Sequence, residues 1–201
     1  MNIVENKVAL QPYRITMSKH QLTAIELRLL NLCFFHLKEE HVQGFCNDVM
    51  NKKGLFDTHK IIKIKNADIT VNSNYEHVRK ALYKLTKRDI ELDSVIDGKP
   101  STLITNLIHY ADYSKDKTTI EIEINKRLVP EFLKLGKNYT KYGIDFGFKT
   151  QCRYAIRWYQ LACHWQKKGS FRVNIDDIKK LFKISSHMYS RLESFRRRVI
   201  T

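Results

Sequence analysis

The segment from residue 150 to residue 166 constrains the fold of this chain most, because its helical periodicity places apolar residues on two faces. A helix that is apolar on two sides is buried on two sides, so we expect it to lie between two packed domains. One face carries Cys152, Ile156, Tyr159 and Cys163, and the other carries Tyr154, Trp158, Leu161 and Trp165.

The elements before and after this helix follow one order, and that order occurs twice. In the first half, the pattern predicts a helix, a strand, a second helix and then strands that can form a hairpin. Its members are a helix over 18–40 capped by Ser18 and Gln21, a strand over 59–65, a brief helix over 66–71, a helix over 75–88, strands over 90–96, 101–113 and 118–124, and a short helix over 126–135. The second half predicts the helix over 150–166, a short strand over 169–173, a helix capped by Asn174 and a closing helix from 185.

This order is typical of winged helices and predicts an α+β, mostly helical chain of two winged-helix domains. The N-terminal domain spans 1–135, a linker spans 136–149, and the C-terminal domain spans 150–201. The linker assignment depends on the polar, Gly-containing run GKNYTKYGIDFGFK. We expect the second domain to be truncated after its closing helix, because no hairpin follows to serve as its wing.

The charge balance is the strongest global signal. The chain has 36 Lys and Arg against 21 Asp and Glu, a formal net charge of +15. Such a surplus suits a polyanionic partner, nucleic acid before membrane. The alternative is a lysine-rich solvated surface without a polyanionic partner.

Compartment and metal content follow from smaller features. No secretory signal and no apolar run of membrane-spanning length are visible. Four cysteines without a CxxC pair predict reduced thiols and a cytoplasmic protein. A zinc site is conceivable from the residue types of Cys33, His36, His41 and Cys46. Because Cys33 falls within an apolar helix, we expect a buried cysteine and no metal or cofactor.

A set of residues in the C-terminal part resembles a known family. Tyr154, Arg157 and Trp158-Tyr159 are followed by an Ile178-x-x-Leu181 helix, and the match continues through Tyr189, Phe195, Arg196–Arg198 and Val199. With these residues the chain resembles the plasmid replication initiators of the Rep_3 type, most specifically over 150–200.

The resemblance implies a division of labour between the two domains. The C-terminal winged helix would read directly repeated origin sites in double-stranded DNA, and the N-terminal one would contact the DNA backbone and mediate homodimerisation. It also implies origin opening together with host initiation proteins and helicase, and repression of the initiator's own gene by its dimer.

On the closing helix, Met188, Leu192, Phe195 and Val199 are predicted to form the apolar stripe. The second helix of a helix-turn-helix enters the major groove, and residues near its N-terminus contact base edges. We therefore predict that Ser190, Arg191 and Ser194 read bases, since an arginine can bond O6 and N7 of guanine together.

Other basic residues are predicted to bind phosphates, and a solvated basic face is the alternative for any one of them. They are Tyr189, Arg197 and Arg198 on the closing helix, Lys179, Lys180 and Lys183 on the helix before it, and Arg79, Lys80, Lys84 and Lys87 on the helix over 75–88.

Enzyme motifs are weak. GKPS at 98–101 resembles the end of a phosphate-binding loop, but Pro100 interrupts it, so a turn is expected. Asp112, Asp116, Glu121 and Glu123 would suit a metal nuclease, yet the Glu/Ile alternation predicts that Glu121 and Glu123 lie on a solvated face. We therefore predict a non-enzymatic initiator. The alternatives are a winged-helix transcriptional repressor and a metal-dependent nuclease or nickase.

Overall fold

The structure is a computed structural model that describes residues 7–42, 60–65, 68–69, 75–116, 118–128 and 139–200. The predicted helices over 66–71 and 126–135 fall largely outside these residues. The strands are β1 (Val8–Pro12), β2 (Lys60–Lys65), β3 (Asp89–Ile96), β4 (Lys99–Asn106), β5 (Ile108–Tyr113), β6 (Thr119–Ile124) and β7 (Tyr139–Gly143). The helices are α1 (Tyr13–Thr16), α2 (Ala24–Val42), α3 (Tyr75–Lys87), α4 (Asp145–Lys149), α5 (Arg153–Trp165), α6 (Ile175–Leu181) and α7 (Leu192–Phe195), with a π-helical turn over Arg196–Ile200.

Helix α2 begins six residues later than the sequence predicts. Its capping box is formed by Thr23 and Glu26, whose backbone N–H groups donate to each other's side chains at 2.7 and 3.4 Å. The predicted cap Ser18 is buried and donates its hydroxyl to the Ile15 carbonyl at 2.7 Å instead. Ser18 with Gln21 and Thr23 with Glu26 both fit the capping-box pattern, so the sequence pattern alone does not distinguish them.

Helix α3 agrees with the prediction and carries the predicted polar face. Val78, Leu82 and Leu85 are buried, together with Ala81, while Tyr75 is half-buried. The helix packs on β5, so its other side points away from the core. The residues of that exposed side include Arg79, Lys80, Lys84 and Lys87.

The predicted strands form two antiparallel sheets rather than one hairpin. The run over 101–113 divides at Leu107, because β4 pairs with β3 while β5 pairs with β6, which in turn pairs with β2. Asp97 and Gly98 both have positive φ, 50° and 76°, as a two-residue hairpin turn requires. The β3–β4 hairpin directly follows α3 in the chain, which is the position of a wing in a winged helix.

The prediction that both glutamates of β6 lie on a solvated face is wrong for Glu123. Glu121 is half-buried and pairs with Lys63 at 2.7 Å, whereas Glu123 is only 5% exposed. Glu123 has Ile61 and Tyr110 as its cross-strand partners, whereas the partners of Glu121 are polar. Alternation along one strand does not reveal which side chains lie beside it.

The segment predicted as a linker contains regular structure. Residues 139–143 form β7, which pairs antiparallel with β1, and residues 145–149 form α4. Along β7 the buried Thr140 and Tyr142 alternate with the exposed Tyr139 and Lys141. This short alternation is hidden by the polar, Gly-containing composition around it, and it ties the segment to the first half of the chain.

Helix α5 lies between two apolar clusters, as its two faces predict. Ile156 belongs to the larger cluster of the first half, and Tyr159 and Cys163 pack against that cluster. The other face contributes Tyr154 and Leu161 to a smaller cluster. That cluster consists of Tyr154, Leu161, Ile178, Phe182, Ile184, Phe195 and Val199, with Trp158, Leu181, Tyr189 and Met17 packed against it. Cys152, predicted for the first face, is exposed.

The second half is built from helices and turns. The predicted strand over 169–173 is not formed, and within residues 150–200, all of which the structure describes, no strand is present. Asn174 occupies the N-cap position of α6, although its side chain makes no capping hydrogen bond. Helix α6 ends in a left-handed Lys183, with Ile184 N–H donating to the Lys179 carbonyl at 2.8 Å, the bonding pattern of a Schellman motif.

The two halves meet along a buried polar seam, which we define as Arg157 and Gln160 of α5 with the groups they bond. Arg157, 3% exposed, donates to the backbone carbonyls of Thr16 and Ser18 at 3.0 and 3.2 Å. Gln160 donates to Asn31 and Tyr142 of the first half at 3.1 and 3.2 Å. Burial lowers the pKa of Arg157 to about 10, which leaves it charged at neutral pH.

We predict that Arg157→Ala lowers the free energy of unfolding by about 3 kcal/mol, because two buried carbonyls lose a charged donor. Urea denaturation followed by far-UV circular dichroism measures the change. Arg172→Ala, at an exposed position, is the matched control and should stay within about 0.5 kcal/mol of the parent. Equal losses in the two variants would show that the seam adds nothing to stability.

Candidate nucleic-acid interface

The closing helix begins later than the sequence predicts. Residues 186–189 form a turn, Tyr189 has a left-handed φ of 55°, and Arg191 is the N-cap of α7. Ser190 and Arg191 therefore lie just before the first turn of α7 and are exposed, while Ser194 lies in that turn and is half-buried. The three predicted base-reading residues thus come together at the N-terminal end of α7.

The prediction of an apolar stripe on the closing helix is confirmed for two of its four residues. Phe195 and Val199 are buried in the smaller cluster, whereas Met188 and Leu192 are 38% and 56% exposed. The stripe assumed one continuous α-helix from 188 to 199, but the helix starts at Leu192 and continues as a π-helical turn, which changes the angle between successive residues. Tyr189 packs on the smaller cluster from the turn that precedes the helix.

Two contacts attach the end of α7 to the rest of the second half. The indole N–H of Trp158 donates to the Val199 carbonyl at 2.7 Å. Lys179 of α6 lies over the Phe195 ring, 5.8 Å from its centroid. Arg197 and Arg198 remain exposed beyond these contacts.

Tyr189 and Arg153 form a small cationic and aromatic cluster beside α7. Partial burial and the neighbouring Tyr154 raise the pKa of Tyr189. Arg153 donates to the Tyr154 hydroxyl at 2.7 Å and stacks on its ring at 4.6 Å. Arg153 was missed by sequence reasoning, because it lies on the helix that the apolar pattern assigned to the core.

The lysines of α6 differ in their surroundings. Lys180 is exposed beside Asp177, and Lys179 is half-buried. Lys183 lies 3.0 Å from both Asp89 and Glu91 of β3, so it links the two halves. Because these carboxylates hold its ammonium group, Lys183 is not open to a phosphate, in contrast to the prediction. Its hydrogen bond lowers the pKa of Asp89.

A second basic face is formed by α3 and the start of α2. Lys80 and Lys84, with His77, line an open groove of about 510 Å³ whose other wall includes Thr23 and Arg28. Arg79 lies 3.9 Å from Glu76, and Lys87 lies over the Tyr83 ring at 4.1 Å while bonding its hydroxyl. Lys80 and Lys84 are thus the two predicted phosphate ligands that face the groove.

The part of the chain that the structure describes brings no three His, Cys, Asp or Glu side chains together in a way that could hold a metal ion. Cys33 is buried, as predicted, and burial raises the pKa of its thiol to about 12. Of the four predicted zinc candidates, His41 and Cys46 have side chains outside the described residues. Within the described helices none has the length and apolar character of a membrane span.

Residues 9–163 match the family model described as Initiator Replication protein, WH1. No curated protein sequence matches the chain. Among solved structures, the chain is similar to the Pi initiator protein in complex with iteron DNA, with a TM-score of 0.70 and 15% identity over 98% of this chain and 84% of that chain. This likeness confirms the predicted winged-helix fold.

A WH1 domain of the replication protein MSBI1.176, isolated from a multiple sclerosis patient, is also similar, with a TM-score of 0.38 and 17% identity over 58% of this chain and 84% of that chain.

We predict that Trp158→Phe loosens α7 while leaving the rest of the fold intact, because the Val199 carbonyl loses its indole donor. A net hydrogen bond is worth about 1 kcal/mol, so hydrogen-exchange protection of the Phe195 amide should fall about fivefold. Trp165→Phe, on the same helix, is the matched control and should leave that protection unchanged. An unchanged Phe195 amide in Trp158→Phe would show that this bond does not hold α7.

Proposed function

The chain belongs to the family of initiator replication proteins, and we propose that it initiates plasmid replication by binding repeated origin sites in double-stranded DNA and promoting their opening. The observation that carries the proposal is the pair of basic faces, one on α3 and one at the start of α7, held in one packed unit by α5. The net charge of +15 supports a polyanionic partner for both.

Recognition of the DNA bases is assigned to residues at the start of α7. Arg191 is exposed there, with Ser190 beside it and Ser194 one turn later. The short serines allow the backbone to approach the groove closely, and the arginine fork matches the O6 and N7 acceptors of guanine. A good pair of this kind is worth about 1–3 kcal/mol of discrimination between bases.

Contacts to the DNA backbone are assigned to solvent-accessible basic residues on both faces, which position the chain on DNA without reading its sequence. On the second half these are Arg197, Arg198, Lys179 and Lys180, with Tyr189 and Arg153 beside them, and on the first half Arg79, Lys80, Lys84 and Lys87. Lys183 is left out because Asp89 and Glu91 occupy its ammonium group. If roughly six to ten phosphates are neutralised, the logarithm of affinity falls with the logarithm of salt at about −0.9 per contact.

The solved complex of the Pi initiator supports direct repeats as the target, since that protein shares this fold and is bound to iteron DNA. Self-association through the first half is supported by apolar side chains exposed on the β3–β4 hairpin, namely Val95, Ile96 and Ile104. Recruitment of host initiation proteins and helicase, and repression of the protein's own gene by its dimer, rest on the family resemblance.

We predict that Arg191→Ala and Lys84→Ala weaken DNA binding in different ways. Arg191→Ala should lower affinity for the origin repeat about tenfold or more and leave random duplex nearly unchanged, because a base contact is lost. Lys84→Ala should weaken both duplexes alike and reduce the salt slope by about 1. Fluorescence anisotropy titrations over a range of salt concentrations distinguish the two, and equal losses on both duplexes for Arg191→Ala would remove its assignment as a base reader.

We predict that the protein opens a supercoiled plasmid carrying its origin without cutting it. Permanganate should modify thymines beside the repeats only when the protein is present, and added Mg²⁺ or Mn²⁺ should produce no nicked or linear DNA. Repeat binding without permanganate reactivity would favour a winged-helix repressor, whereas nicking would favour the nuclease alternative. Plasmid without the repeats serves as the control.

A further inference from the structure

His20 is a buried histidine at the boundary between the two halves. It lies in the segment between α1 and α2, is 4% exposed, and donates its backbone N–H to the Leu181 carbonyl of α6 at 3.4 Å. Within the described residues its Nδ1 has no hydrogen-bond partner. The imidazole borders a cavity of about 10 Å³ that it shares with Arg157 and Phe182.

The charged groups around His20 are predominantly cationic. Arg157 and Lys183 act on it electrostatically from α5 and from the end of α6. Arg153 and the Tyr154 phenol border the same cavity from α5, and Lys19 is its neighbour in sequence. The carboxylates on this side, Asp89 and Glu91 of β3, already hold Lys183, and Glu91 also lies 3.7 Å from Lys19.

We propose that His20 is a pH-sensitive latch between the two halves, which stay closed while its imidazole is neutral and separate when it is protonated. A protonated His20 would be a second buried cation beside Arg157, with the half-buried Lys183 close by. The nearby carboxylates of β3 are already paired. Solvation by water is the least costly way to stabilise that charge. His20 reaches water when the segment over 17–23 moves away from α5 and α6.

The direction of the effect follows from proton binding. Burial, and then the charges of Arg157 and Lys183, lower the pKa of His20 well below its ordinary 6.5 in the closed form. The open form has the ordinary pKa, so it binds more protons, and closure is fully retained above pH 6.5 and lost as the pH falls below it. The ratio of closed to open molecules should fall about tenfold per pH unit in that window.

Opening would separate the α3 face from the start of α7, whose spacing depends on α5 packing against both clusters. A DNA site that needs both faces at once would then be bound less tightly below pH 6.5. The latch itself belongs to the fold and requires no DNA.

The test uses the full chain without DNA. Hydrogen-exchange protection of the His20 amide, corrected for intrinsic exchange, is measured from pH 7.5 to 5.5. We expect a fall of about tenfold per pH unit below 6.5, while the Glu91 amide, bonded within the first half to the Lys19 carbonyl, keeps its protection. His20→Gln should remove the response, and His164→Gln, the same change near the C-terminal end of α5, should retain it.

Two results would overturn the latch: a flat protection profile in the parent chain, or an equal response in His20→Gln. Should His20→Gln fail to fold, an NMR titration of the His20 ring in the parent chain decides the matter. Titration near 6.5 while the amide stays protected contradicts the latch, and a ring that takes up its proton only as amide protection is lost supports it. Anisotropy with origin DNA at pH 7.5, where all variants are closed, tests the proposed function separately, since failure to bind there leaves the exchange result unaffected.

Discussion

The burial of the Arg157 guanidinium between the two halves is the constraint on which the rest of the structure depends. Removing such a group from water costs several kcal/mol unless its N–H groups find acceptors. The Nη2 group of Arg157 finds them in the backbone carbonyls of Thr16, the last residue of α1, and Ser18, in the segment that follows it. That segment must therefore keep the path that presents these carbonyls, and the same path buries His20 and pairs Lys19 with β3. One charged side chain thus decides how the first half is placed against α5.

The consequence for DNA binding is that the two basic faces are arranged by packing. Helix α5 contributes Ile156 to the larger cluster and Tyr154 to the smaller one, so moving α7 relative to α3 would disrupt at least one of them. Two DNA-binding units on a flexible linker lose conformational freedom when both bind, whereas a preorganised pair has already met that cost on folding. The buried polar bonds of Arg157 and Gln160 add specificity to this arrangement, because apolar packing alone tolerates small rotations that hydrogen bonds do not.

The sequence predicted the elements with clear periodicity and missed those that depend on partners far along the chain. Helix α3, strand β2 and the two faces of α5 were confirmed, because each has an apolar pattern of its own. Strand β7 was missed because it is short and owes its order to β1, more than 120 residues earlier. The burial of Arg157 and His20, and the pairing of Lys183 with Asp89, could not be predicted, since they arise only when the two halves meet.

The N-terminal end of α7 shows how such a contact positions the residues that face DNA. A left-handed backbone costs a non-glycine residue of order 1 kcal/mol, and Tyr189 adopts it with φ 55°. Packing of the Tyr189 ring on the smaller cluster offsets that cost. The reversal at Tyr189 ends the preceding turn, so that the next residues, Ser190 and Arg191, point away from the cluster and are exposed. In a continuous helix from Ser185, as the periodicity predicts, Tyr189 would be one more residue on a helical face. The left-handed backbone at Tyr189 separates this residue from α7. The exposure of Arg191 therefore depends on the packing of the Tyr189 ring on the smaller cluster, two residues earlier in the chain.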